Sequence, residues 1–130
     1  MILLDTSYLI PLAKGSNRVA KVIEMIDSEG PALTSISHFE IFRSYKKMSK
    51  REIRYFSQLF STYPVLPLDT KAAEEASQIW SSLERIGKPV NVLDVLIAGI
   101  MIANGIEKIV TSDKDFLEIA KVSDIEVILV

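Results

Sequence analysis

The chain has 130 residues, 48% of them hydrophobic and 25% charged, with five glycines and five prolines. That is the length and composition of one ordinary globular domain, large enough to fold on an apolar core without covalent staples and too apolar to be disordered. It contains no cysteine and one histidine, His38, which excludes a disulfide scaffold, a thiol nucleophile, a Cys-ligated zinc site and any mechanism needing two imidazoles. Fifteen Lys and Arg against seventeen Asp and Glu give a net charge of −2, a total that does not advertise a nucleic-acid partner.

Ile2 to Leu4 reads as a short strand ending at Asp5. Thr6 to Lys14 reads as a helix, with Pro11 expected near its first turn, where a missing N–H costs least. Val19, Val22, Ile23 and Ile26 recur at helical spacing until Gly30-Pro31 stops them. Ala32 to Ser35 forms a second strand, and a helix from about Ser37 carries Phe39, Phe42 and Tyr45 along one side. Ser49 with Glu52 is a capping box, opening a helix to about Ser61. Val65, Leu66 and Leu68 make a third strand, broken by Pro64 and Pro67 and therefore at a sheet edge. A long helix runs from Asp69 or Thr70 to Ile86, and a second, apolar nearly all round, from Asn91 to Ala103 with Gly105 as its stop. Lys108 to Thr111, Asp115 to Lys121 and Ile125 to Val130 complete the chain as strand, helix and strand. Such alternation predicts an α/β domain with right-handed crossovers and a parallel sheet covered on both faces.

In open parallel sheets, ligands bind beyond the carboxyl ends of the strands. Asp5 ends the first strand, Asp113 and Asp115 follow the fourth, and Glu40 lies early in the helix after the second. The helix from Asn91 reaches the fourth strand through about three residues, so it finishes at that strand's amino end and starts at the carboxyl edge, with Asp94 in its first turn. Five carboxylates from four separate segments thus converge on one rim. Two carboxylates ~4 Å apart repel by roughly 4 kcal/mol at an effective dielectric of about 20, so such a cluster holds protons or binds a cation. Oxygen ligands without His or Cys suit Mg²⁺ or Mn²⁺. One or two such ions can orient a water and stabilise a phosphoryl oxygen in in-line displacement.

Each acid also has a local role open to it. Glu40 would complete a capping box with Ser37, Asp94 favours the positive end of its helix, and Asp5, Asp113 or Asp115 would cap the helices they precede. Capping and a shared site are compatible, but five caps meeting at one rim make a poorer explanation than a site. Asp69, before Thr70, reads as a plain N-cap.

The opening Ile-Leu-Leu-Asp-Thr-Ser, the segment Thr34 to Glu40, Asp94-Val-Leu-Ile-Ala and Thr111-Ser-Asp-Lys-Asp-Phe resemble, in order and spacing, the motifs of PIN-domain ribonucleases, above all the short VapC-type toxins of toxin–antitoxin pairs. The resemblance spans the whole chain, 1–130, as a single PIN domain. It implies a Rossmann-like three-layer α/β/α fold with a five-stranded parallel sheet. It further implies Mg²⁺- or Mn²⁺-dependent endonucleolytic cleavage of RNA, a homodimer, and inhibition by a small antitoxin protein. Asp5, Glu40, Asp94 and Asp113 match the family's four acidic, metal-holding positions. Thr6 or Ser7 and Thr111 match the polar residues that support them. Asp113 and Asp115 compete for the fourth position, which we give to Asp113 with Asp115 assisting or structural.

Arg43, Lys46, Lys47, Lys50, Arg51 and Arg54, interleaved with Tyr45, Tyr55 and Phe56, would form a stripe on one helix. The capping box at Ser49 instead makes them a basic corner between two helices. Beginning close to Glu40, that corner would steer an RNA backbone towards the acids, with Arg43, Lys46 and Lys47 as contacts; the alternative is a solvated face. His38 is expected exposed or locally bonded. Trp80, Met25, Met48 and Met101 are expected in the core or a dimer interface, and partner contacts are expected on the helices Val19 to Ile26 and Ala72 to Leu83. No targeting segment precedes Asp5, and the greasy stretch Val95 to Ala103 falls well short of the ~20 residues of a membrane span, so a cytoplasmic protein is expected. A receiver-like signalling module would want a second acid beside Asp5 and a lysine after the fifth strand; Thr6 and Val130 supply neither. An inactive metal- or RNA-binding module and an RNA-processing nuclease that is not a toxin remain as rivals.

Overall fold

Ile2–Leu4 forms β1, the central strand on which the sheet is assembled. The computed structural model describes residues 1–16 and 22–130. The expected helical position Val19 lies outside the described residues. After β1 come α1 (Thr6–Ala13), α2 (Ile23–Glu29), β2 (Pro31–Thr34), α3 (Ser35–Phe42), a single 3₁₀ turn (Tyr45–Lys47), α4 (Lys50–Thr62) and β3 (Val65–Leu66). The chain continues through α5 (Thr70–Arg85), α6 (Val92–Ala103), β4 (Lys108–Thr111), α7 (Asp115–Ala120) and β5 (Glu126–Leu129).

All five strands are parallel, in the order β3-β2-β1-β4-β5. Alternate residues of the inner strands face opposite layers, as the period of a strand requires. Ile2, Leu4, Leu33 and Val110 pack with Tyr8, Ile26, Ile41 and Phe56. Leu3, Ala32 and Ile109 pack with Ile79, Val95, Ile97 and Phe116. Helices α1–α4 therefore cover one face and α5–α7 the other, the three-layer α/β/α arrangement expected from the alternating pattern.

Helix α6 is buried over most of its surface, and Gly99 is the reason α5 can lie so close to it. A Cβ at Gly99 would strike the Ala72 carbonyl and stand 2.7 Å from the Ala76 Cβ. Ala72, Ala76, Ile79 and Leu83 are consequently buried. That side of α5 is core, and its other side, with Trp80, is open. Met101 is buried, whereas Met25 is exposed.

Three local expectations are corrected. Pro11 lies in the second turn of α1, not the first, so the missing N–H is one that would have reached the Ser7 carbonyl. Helix α3 begins at Ser35, capped by Thr34, whose Oγ1 accepts the Ser37 N–H at 3.0 Å. Ser37 is therefore not a cap, and no capping box joins it to Glu40. Leu68 falls outside β3 and donates its N–H to Ser35 Oγ instead. The capping box at Ser49–Glu52 and the cap at Asp69 form as the sequence predicts. No helix among the described residues is long and apolar enough to cross a membrane.

Candidate active site

The strand order reverses between β1 and β4: β2 and β3 lie on one side of that pair, β5 on the other. Helices leaving such a switch point diverge and open a crevice at the carboxyl edge of the sheet. Asp5 follows β1 there, and Thr111 ends β4 beside it.

Asp5 stands at the N-cap position of α1, but its side chain makes no capping bond. It is 2% exposed, and its Oδ2 receives the hydroxyls of Ser7 at 2.7 Å and Thr111 at 2.8 Å. Ser7 and Thr111 also lie 3.0 Å apart. Each hydroxyl has one proton, so with both donated to Asp5 that approach is a contact and not a third hydrogen bond. The same two oxygens accept backbone N–H groups, Ser7 Oγ from Ser112 and Thr111 Oγ1 from Asp113, both at 2.9 Å. The loop after β4 is thereby laced to the start of α1. Of the alternatives Thr6 and Ser7, it is the Ser7 hydroxyl that reaches Asp5.

Asp94, in the first turn of α6, is 4% exposed. The carboxylates of Asp94, Asp113 and Asp115 each offer an oxygen within 4.8 Å of the others. Asp113 Oδ1 accepts the Asp115 N–H at 2.9 Å, and Asp115 Oδ2 accepts the Asn91 N–H at 3.0 Å, tying the start of α7 to the start of α6. Asn91, expected as the first residue of this helix, is its N-cap and accepts the Leu93 N–H through its side chain. Its backbone link to Asp115 spans 24 residues and has no local signal.

Burial is the main cause that raises the Asp94 carboxyl to about 9, followed by proton sharing with Asp113 and by the charges of Asp113, Asp5 and Glu40. Burial also raises Asp5, against the hydroxyls of Ser7 and Thr111 and the nearby backbone of Thr6 and Ser7. Glu40 is raised by burial and by Asp5 and Asp113, while Arg43 pulls it down. Glu40 and Asp5 stand outside the set of three acids, Asp94, Asp113 and Asp115, whose oxygens approach within 4.8 Å of one another, but Glu40 feels the charge of Asp5 and Asp113.

Four buried carboxylate oxygens among the described residues have no hydrogen-bond partner. One belongs to Glu29, whose other oxygen pairs with Lys108. The remaining three, Asp5 Oδ1, Glu40 Oε1 and Asp94 Oδ2, all lie at this edge. A buried, unpaired carboxylate oxygen is costly unless something positive approaches it. An all-oxygen donor set of this kind fits a hard divalent cation.

Arg43, Lys46 and Lys47 are exposed. The 3₁₀ turn and the extended Met48 separate them from α4, giving the corner expected from the capping box. His38 is exposed and lies against Phe42 and Phe60, with ring centroids 4.5 and 4.9 Å away. Of the three residues expected along one side of this helix, Phe42 is half-buried and Phe39 faces solvent, while Tyr45 falls beyond α3 in the 3₁₀ turn and is exposed.

A five-stranded parallel sheet of this order, with acids gathered at its switch point, defines a three-layer α/β/α domain. Residues 2–122 match the PIN domain family model, and the chain belongs to that family. Within it, the fold is that of VapC-type proteins. It superimposes on VapBC2 from Rickettsia felis, solved bound to a promoter DNA fragment, with a TM-score of 0.80, 19% identity and coverage of 100% of this chain and 99% of the other. DNA-bound VapBC from Salmonella typhimurium gives 0.78, 25% identity and coverage of 98% and 96%. VapC20 of Mycobacterium tuberculosis, a toxin cleaving the sarcin–ricin loop, gives 0.67, 17% identity and coverage of 97% and 99%. No curated protein sequence matches the chain.

Proposed function

We propose that this protein is a divalent-metal-dependent endoribonuclease of the VapC type, acting in the cytoplasm as the toxin of a toxin–antitoxin pair. The observation that carries the reading is the trio of buried, unpartnered carboxylate oxygens on Asp5, Glu40 and Asp94. Asp5, Glu40, Asp94 and Asp113 would hold Mg²⁺ or Mn²⁺, with Asp115 assisting. Such an ion, when bound, lowers the pKa of a water and stabilises charge on a phosphoryl oxygen. The chain's own residues prepare the site for it. Ser7 and Thr111 commit both their protons to Asp5 Oδ2, which leaves Oδ1 free to face a cation. Asp94, which burial raises to about 9, would hold a cation in place of its proton. Arg43, beside Glu40, would neutralise the phosphate that approaches the acids.

Members of the same fold solved as VapBC complexes support a small antitoxin as the partner here. The apolar groove lined by Leu9, Leu12, Ile23, Tyr55 and Tyr63 is the surface we assign to it. The homodimer rests on the family resemblance. A mixed RNA pool incubated with the protein and Mg²⁺ should be cut internally, stop being cut with EDTA, and be cut again on adding excess Mg²⁺ or Mn²⁺. Cleavage that survives EDTA would overturn the metal-dependent reading. Growth arrest on expression, relieved by the product of an adjacent small reading frame, would separate a toxin from a processing nuclease.

A further inference from the structure

Phe39 stands one residue before Glu40 and is 54% exposed. Burying a phenylalanine is favourable, yet α3 turns this one outward. His38 and Phe42 pack with Phe60. Among the described residues, the aromatic-face contact of Phe39 is the Arg43 guanidinium, 5.8 Å from its centroid. Arg43, four residues after Phe39 and three after Glu40 at the end of α3, shares a helix face with both. Beyond it, Tyr45 is 59% exposed beside Lys46 and Lys47.

We propose that Phe39, flanked by Arg43, is a base-stacking residue that holds an unpaired nucleotide of single-stranded RNA beside the phosphate to be cut. This rests on the nuclease reading above. Every nucleobase presents a π face, and an exposed ring next to cations is how single strands are held without reading sequence. A guanidinium lying loosely over the ring is free to turn to the adjoining phosphate. Charge favours RNA over a second copy of the chain as occupant. From Ile41 to Arg51 the sequence carries five Lys and Arg and no acid, so a two-fold contact on this patch would oppose two like-charged corners.

The test is fluorescence anisotropy of the full chain, in EDTA to prevent cleavage, with a labelled single-stranded oligoribonucleotide and with the same strand annealed to its complement. Phe39→Ala should weaken single-strand binding by roughly five- to a hundredfold, leave duplex binding unchanged within about twofold, and leave Mn²⁺ titration of the acids unchanged. Phe39→Trp should bind the single strand at least as well as wild type. Equal single-strand affinity for Phe39→Ala and wild type would overturn the proposal, as would equal losses on single strand and duplex. So would a drop in sedimenting mass, which would assign the ring to a protein interface. Stacking that holds in EDTA while wild type fails to cut RNA with Mg²⁺ would sink the nuclease reading, and with it the place beside a cut phosphate, while upholding the stacking contact itself. Normal cleavage with no effect of Phe39→Ala would do the reverse, and wild type that binds no RNA would sink both.

Discussion

The tripeptide Leu-Asp-Thr occurs twice, at Leu4–Thr6 and at Leu68–Thr70, each time leading from a strand into a helix. Asp69 is exposed and caps α5, accepting the Ala72 N–H at 2.9 Å. Asp5 is buried, makes no cap, and spends one oxygen on two hydroxyls while the other finds no partner. The difference is the address in the sheet. Asp69 leaves the edge strand β3, where nothing converges. Asp5 leaves β1 beside β4, where the strand order reverses and three further segments bring in acids. Local sequence offers an aspartate a cap; the topology decides whether it becomes part of a site.

The largest effect is expected inside the converging set. Asp94→Asn would remove a proposed ligand with little change of shape, and a loss of about 4 kcal/mol of transition-state stabilisation would make cleavage roughly a thousandfold slower at saturating Mg²⁺. A loss below tenfold would place Asp94 outside the chemistry.

Next comes the pH dependence of stability. Asp94, Asp5 and Glu40 hold protons more tightly in the fold than in the unfolded chain. Between the ordinary carboxylate range and the Asp94 value of about 9, the folded state binds more protons, so the metal-free protein loses stability as pH rises through that window. The thermal midpoint in EDTA should fall as pH rises, and should fall less in Asp94→Asn. Mg²⁺ competes with those protons, so its stabilising effect should grow with pH, reaching about 2.7 kcal/mol at a hundred times Kd. A midpoint in EDTA that rises with pH would contradict the buried-acid account.

On the capping side of the comparison, Asp69→Ala should cost about 1 kcal/mol of stability in denaturant titration, with the cleavage rate of the folded protein unchanged. The smallest effect belongs to the basic corner. Arg43→Ala should lower the slope of log affinity against log salt by about one phosphate contact. An unchanged slope would make this corner a solvated face.

Much of this was legible from the chain alone. The alternation of short apolar runs with helical stretches gives the parallel sheet, and the short link from α6 to β4 puts Asp94 at the carboxyl edge before any coordinate is seen. Two local readings yield to partners brought by the fold. Ser37 and Glu40 have capping-box spacing, but Thr34, at the end of β2, captures the Ser37 N–H first and starts α3 earlier. Asp5 precedes a helix like any cap, but two hydroxyls at 2.7 and 2.8 Å outbid the helix for it, one of them from 106 residues away in sequence. The Asp115–Asn91 bond and the outward turn of Phe39 likewise depend on which elements meet, and no window of local sequence holds that information. The net charge of −2 misleads for the same reason, because it sums an acidic edge with a basic corner that the fold keeps distinct.

The two Leu-Asp-Thr sites supply the sharpest test. Cleavage of a mixed RNA pool in Mg²⁺ should be abolished by Asp5→Asn and proceed at the wild-type rate with Asp69→Asn, the same substitution in the same tripeptide. Full activity in Asp5→Asn, or equal losses in both variants, would contradict the assignment of the chemistry to the sheet's switch point.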